Sequence, residues 1–165
     1  MDFDNTEKYL HKWQEILKLM DWDIKFQYVE TEWRKSGDIK IDMDDRNAIL
    51  LLNKFNPKQN NLEEIIIHEL LHLKLYGMDQ MIETLIECVY GKNENDPKRL
   101  FTYNQFMSLL EPTVNDLTKS FLSQSGGNKE ISFGRLIQEV SNHRQRRWLE
   151  EAPLKGAIRS LLRPS

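Results

Sequence analysis

Residues 62–76, LEEIIIHELLHLKLY, are dominated by Ile and Leu. A run of this length is too long for one buried strand and has the three- and four-residue recurrence of a helix, so it reads as a core helix. Gly77 follows directly and is expected to close that helix in the left-handed region. A helix this apolar needs other elements around it, which sets the problem for the rest of the chain.

Those elements divide cleanly. Residues 5–20 carry Leu10, Trp13, Leu17 and Met20 on one helical stripe. Residues 22–32 alternate Trp22, Ile24, Phe26 and Tyr28 against polar neighbours, the mark of a half-buried strand. Residues 38–43 alternate again, and after the turn Asp44-Asp45-Arg46-Asn47, residues 48–52 make a short, nearly all-apolar strand. Residues 53–61 read as a loop. Beyond residue 76 only helices are expected: one capped by Asp79 and ending at Gly91, and one opened by Asp96-Pro97 that runs to about Leu110. Pro112 then kinks or restarts the chain towards Leu122. One helix, three strands and then helices make an α+β fold, with a small three-stranded sheet packed on a helical layer. Residues 1–125 read as one domain. The Gly- and Ser-containing stretch SQSGGNK at 123–129 reads as flexible, residues 126–131 as the linker, and 132–165 as a basic helical C-terminal extension.

Inside the apolar run lies His68-Glu69-Leu70-Leu71-His72. Two histidines four apart on a helix stand one above the other, so both imidazoles reach one point beside it. Two neutral imidazoles and a carboxylate suit Zn2+, one ion per chain, and leave a fourth position for water. Glu69 lies on the adjacent flank, placed as the base that takes the water's proton. Burying two histidines and a glutamate among Ile65, Ile66, Ile67, Leu70, Leu71 and Leu73 is costly without such a partner.

A third ligand must come from downstream, and Leu73–Tyr90 holds no further histidine. The carboxylates available are Glu83, Glu87, Glu94, Asp96, Glu111 and Asp116. Glu111 is favoured because it shares a helical stripe with Val114, Leu117 and Phe121, which points it inward. The other reading of Glu111 is a cap on a helix starting at Pro112. Glu83 and Glu87 read as a solvated face. Asn115 and Asp116 could orient ligands from behind. Tyr90, Tyr103, His11 and His143 are the candidates to stabilise an oxyanion.

The segment HELLH, followed by Glu111-Pro112-Thr113-Val114-Asn115-Asp116-Leu117, resembles the gluzincin branch of zinc peptidases. It is especially similar to the small ImmA/IrrE-like metallopeptidases of bacteria and their phages, over roughly residues 5–122. The resemblance implies a minimal zincin-like fold, with His68, His72 and Glu111 as metal ligands and Glu69 as the catalytic group. The implied reaction is peptide-bond hydrolysis on a protein or peptide substrate. A regulatory protein, such as a phage or mobile-element repressor, is a candidate substrate.

Net charge and its distribution carry different messages. The chain of 165 residues has a net charge of −3, so charge alone implies no polyanion or membrane partner. From Ser132 onward there are seven basic and three acidic residues, which leaves −7 on residues 1–131. The alternative function is therefore a zinc-containing binding or regulatory protein acting through this tail. NHRQRRW at 142–148 clusters three arginines beside Trp148, a pattern able to hold a nucleic-acid strand. Leu154, Ile158, Leu161 and Leu162 favour docking on protein instead. Cys88 is the one cysteine, read as a buried thiol. The N-terminal stretch MDFDNTEKYL is no signal peptide and no membrane span is expected, which places the protein in the cytoplasm.

Overall fold

Alternating burial in the first half of the chain produces one sheet. In the computed structural model, which describes residues 3–126, β1 (Asp23–Val29), β2 (Gly37–Asp42) and β3 (Asn47–Asn53) lie in the order β1-β3-β2. β3 is parallel to β1, with Phe26 opposite Leu50, and antiparallel to β2, with Ile39 opposite Leu50. Ala48, Leu50 and Leu52 of the central strand are buried, whereas Ile49 is exposed. The sheet therefore turns one face to the core and one to solvent.

Three α-helices complete the described residues: α1 (Thr6–Ile16), α2 (Leu62–Tyr90) and α3 (Pro97–Gln124). The fold is α+β with a small mixed sheet, as the order of elements predicts. The core gathers Trp13, Leu50, Leu52, Ile66, Ile67, Leu70, Val114 and Leu122 from all of these layers. Trp13 Nε1 donates to Glu63 Oε1 at 2.9 Å and Lys12 Nζ to the same oxygen at 2.7 Å, fastening α1 to the first turn of α2. Thr6 Oγ1 and Tyr28 OH, 3.0 Å apart, tie α1 to β1. No helix among the described residues is long and apolar enough to cross a membrane.

Several local expectations are revised. The first helix stops at Ile16 rather than Met20. Lys18 takes φ 56°, Leu19 N–H bonds back to the Gln14 carbonyl and Lys18 N–H to that of Glu15. This left-handed closure turns Leu19 inward and leaves Met20 exposed. The helix over 62–76 does not end at Gly77. It continues to Tyr90 and absorbs Asp79, because α3 packs along it. That packing offsets the roughly 1 kcal/mol that a helical glycine costs. Gly91, at φ 80°, follows its last residue. Asp96 caps α3 as expected, accepting from the N–H groups of Lys98 and Arg99. Pro112 neither breaks nor restarts α3; its ring sits on the exposed side, where the lost N–H and the displaced carbonyl meet water. Cys88 is exposed, not buried. Past Leu73, Leu75 packs against the core and Ile86 is the only buried residue of α2, while Leu85 and Val89 are exposed as well. The linker from Gly127 onward and the basic extension at 132–165, with His143 and the 142–148 cluster, lie outside the described residues.

One buried side chain organises the sheet edge. Asn53, fully enclosed at the end of β3, donates from Nδ2 to the carbonyls of Trp33 (3.1 Å) and Lys35 (2.8 Å) and to Asn56 Oδ1 (3.0 Å). Its Oδ1 accepts from the N–H groups of Phe55 and Asn56, both at 3.0 Å. The segment from β1 to β2 is thereby held where β2 begins. Asn53→Ala should destabilise the protein by about 1–3 kcal/mol, since it strips several partly buried backbone groups of their partner at once. Urea unfolding measures the loss, and hydrogen exchange should speed up first over residues 33–38.

Candidate metal centre

α2 and α3 run antiparallel as neighbours, and their register decides which side chains meet. His68 and His72 lie on the face of α2 turned to α3, each half-buried, with side chains 20% and 19% exposed. Glu111 faces them from α3. His68 Nε2 and His72 Nε2 are 3.1 Å apart. Glu111 Oε2 is 3.7 Å from His68 Nε2, and Oε1 is 3.5 Å from His72 Nε2. Among the described residues these are the group that could hold a metal ion, their ligand atoms all lying within 4.8 Å of one another. A tetrahedral ion with bonds of about 2.0–2.1 Å needs donor atoms roughly 3.4 Å apart. The three observed separations bracket that value, so the donor set fits a tetrahedral cation in size as well as in chemistry.

The stretch between His72 and Glu111 is spent on the distal half of α2 and the return of α3, which brings the carboxylate back level with the histidines. Glu111 is no cap, since α3 is continuous through it. Its inward direction follows from the stripe, although the members differ: Val114, Thr118 and Leu122 are buried, while Leu117 is exposed. Thr118 spends its hydroxyl on the Val114 carbonyl at 2.8 Å and so tolerates that position. The remaining carboxylates stand elsewhere. Glu87 lies 3.6 Å from Arg99, Asp96 is occupied as a cap, and Glu83, Glu94 and Asp116 are not in the metal-holding group.

Supporting groups meet both imidazoles. Asn115, one turn beyond Glu111, hydrogen-bonds to His68, as its position predicts. Asp116 is exposed and has no part in this. Burial, with the neighbouring His72, pushes His68 down to about 4. Burial also lowers His72, against the opposing pull of Glu111 and Asp79. Both rings are thus neutral at pH 7, the form that ligates a metal. Among the oxyanion candidates, Tyr103 stands two turns before Glu111, its phenol pushed up by burial and by the carboxylates of Glu83, Asp79 and Glu111. Tyr90 is at the far end of α2, and His11 is exposed on α1.

Glu69 is the most enclosed acid of the centre, 8% exposed. Burial raises its carboxyl to about 8, with the charge of Asp38 adding to the effect. The wall against it is backbone. A Cβ at Gly37 would stand 2.6 Å from Ile65 Cγ2 and 2.9 Å from Glu69 Oε1. Only glycine lets β2 approach this closely. Gly37 and the neighbouring charges Lys35, Asp38 and Lys40 were not among the sequence candidates. A glycine opening an alternating strand was the available signal.

These shifts have a consequence for the metal-free protein. Glu69 titrates near 4.5 when unfolded and near 8 when folded. Between those values the unfolded chain has released a proton that the folded chain retains, so stability falls as pH rises. Glu69→Gln removes the penalty. The metal-free variant should be about 3 kcal/mol more stable than the parent at pH 7, and the two should converge below pH 4.5. Thermal melts across pH 4–8 in chelator measure this.

Comparison with protein-family models, with curated proteins and with solved structures gave no match.

Proposed function

We propose that the chain is a zinc-dependent metallopeptidase of the HExxH, gluzincin-like type. The observation that carries this reading is the spacing of His68, His72 and Glu111, which fits a tetrahedral ion. Two imidazoles and one carboxylate suit Zn2+ better than Ca2+ or Mg2+, which prefer oxygen donors throughout. The Glu111 side chain is 44% exposed, so the cluster faces solvent on the side where a substrate would enter.

When bound, the cation supplies Lewis acidity, polarising the scissile carbonyl and acidifying water beside it. The chain's own residues do the rest. Glu69, buried beside the site such a cation would occupy, is the group placed to act as general base. Glu69 takes the proton of the attacking water as the oxygen–carbon bond forms, and it delivers that proton to the amine as the carbon–nitrogen bond breaks. His68, held by Asn115, keeps its ring orientation throughout. Tyr103 is the best placed donor for the developing oxyanion.

The sheet offers a place for the peptide. β2 is an edge strand. Asn53 N–H donates to the Ser36 carbonyl at 3.0 Å, which fixes the alternation of the ladder: residues 38, 40 and 42 bond to β3, while Gly37, Ile39 and Ile41 turn their N–H and C=O to the open edge. An extended substrate added there would run past Glu69.

Purified protein should contain about one zinc per chain. Glu69→Gln should keep the metal and lose hydrolysis of a casein or peptide-library substrate by at least a hundredfold; equal turnover by the variant would remove Glu69 from the chemistry.

Glu111→Ala should weaken zinc binding by at least tenfold and abolish activity, whereas Glu83→Ala and Glu87→Ala should change neither. Metal titration with a competing chelator decides between them.

A further inference from the structure

The solvent face of β2 carries an arrangement of charge that the hydrolytic chemistry does not use. Gly37, Ile39 and Ile41 point towards α2, as the closeness of Gly37 to Ile65 and Glu69 requires. Asp38 and Lys40 therefore lie on the opposite face of the same strand. The Asp38 carboxylate accepts Lys35 Nζ at 2.9 Å and Lys40 Nζ at 2.6 Å. Only 18% of the Asp38 side chain is exposed, against 59% and 67% for the two lysines. One sheltered anion holds two exposed ammonium groups, so one positive charge is left over and faces outward. This charge borders the metal centre, for Lys35 and Lys40 both act electrostatically on Glu69, and Lys35 acts on His72 as well.

A peptide paired with the open edge of β2 alternates its own side chains between the two faces. Residues directed to the α2 face meet the metal centre. Their neighbours are directed to the other face, beside Lys40 and the Lys35 head group. We infer that Lys35 and Lys40, splayed by Asp38, form a carboxylate-recognising subsite on the outer face of β2, which selects extended peptide segments bearing an Asp or Glu side chain next to the cleaved bond. This rests on the metallopeptidase reading for its purpose, but the binding it predicts needs no turnover. A peptide's terminal carboxylate has the same chemistry. The side chain is the better match because the outer face is reached by side chains and not along the strand.

The test uses the full-length, zinc-loaded Glu69→Gln protein and fluorescence anisotropy. The probes are N-labelled, C-amidated octapeptides of Val, Thr and Ala in which one Glu is moved through the sequence, each with a Gln counterpart, plus a Gln peptide with a free C-terminus. Glu should tighten binding about fivefold over Gln, at positions two apart, and the gain should fade with salt. Lys35→Gln with Lys40→Gln in the same chain should bring the ratio to about one. A gain confined to the free C-terminus would overturn the assignment to a side chain. Equal binding of all the peptides, no binding of any, or a Glu preference that survives loss of both lysines would overturn the subsite. Hydrolysis of the same peptides by the parent protein reports separately. Cleavage at equal rates with no Glu preference in binding removes the subsite and leaves the peptidase, whereas a Glu preference in binding without any cleavage leaves the subsite and removes the peptidase.

Discussion

The first half of α2 is enclosed by α1, the sheet and α3, so every polar group on it must be met by a neighbour or carry a cost in stability. Glu63 is met by Trp13 and Lys12. His68 and His72 are met by each other, by Asn115 and by Glu111. Glu69 faces the backbone of Gly37 and keeps its proton until well above the ordinary carboxylate range. The motif thus stands at the one place where the helix can be buried and still open, through the Glu111 side, to solvent.

Antiparallel packing of α2 and α3 turns this local pattern into a centre. His72 meets Glu111 and His68 meets Asn115, one turn apart on each helix, so a single register serves both ligand and orienting group. Continuity of the two helices maintains that register. A break at Gly77 or at Pro112 would add a rotation between the packed segments and the ligands. The helix therefore passes through a glycine and a proline that local propensity marks as ends, because packing between long helices outweighs a cost of order 1 kcal/mol at Gly77 and the loss of an exposed hydrogen bond at Pro112.

This also explains what could be read from the chain beforehand. The histidines and Glu69 were legible because four-residue spacing on an apolar helix is a local property. Glu111 was legible through its inward stripe, although Leu117 and Thr118 exchange roles: the stripe follows the face that α3 presents to α2, not the apolar residues alone. The ends of the helices were misread at Met20, Gly77 and Pro112, where local signals compete with tertiary packing. Cys88 was misread because the run LIECVY gives no hint that α2 has by then left the body. The group around Gly37 was not legible at all. It arises from the order β1-β3-β2, which places the middle strand in sequence at the edge in space, and no local pattern specifies that order.

The edge position of β2 connects fold to chemistry. A segment crossing from β1 to β2 must pass the end of β3, and there Asn53 takes hold of it through the carbonyls of Trp33 and Lys35. Two residues later Gly37 comes against Ile65 and Glu69. The position of the buried carboxyl is thus fixed from the sheet, while the imidazoles and Glu111 are fixed by the two helices. Glu69 and the histidines share α2, but their side chains meet different neighbours: Gly37 of β2 on one side, Glu111 and Asn115 of α3 on the other. A disturbance at Asn53 or Gly37 should reach the Glu69 carboxyl before the imidazoles, and a disturbance of the helix register should reach the imidazoles and Glu111 first. The separation follows from a motif in which neighbouring residues, His68 and Glu69, point to different walls of the same core.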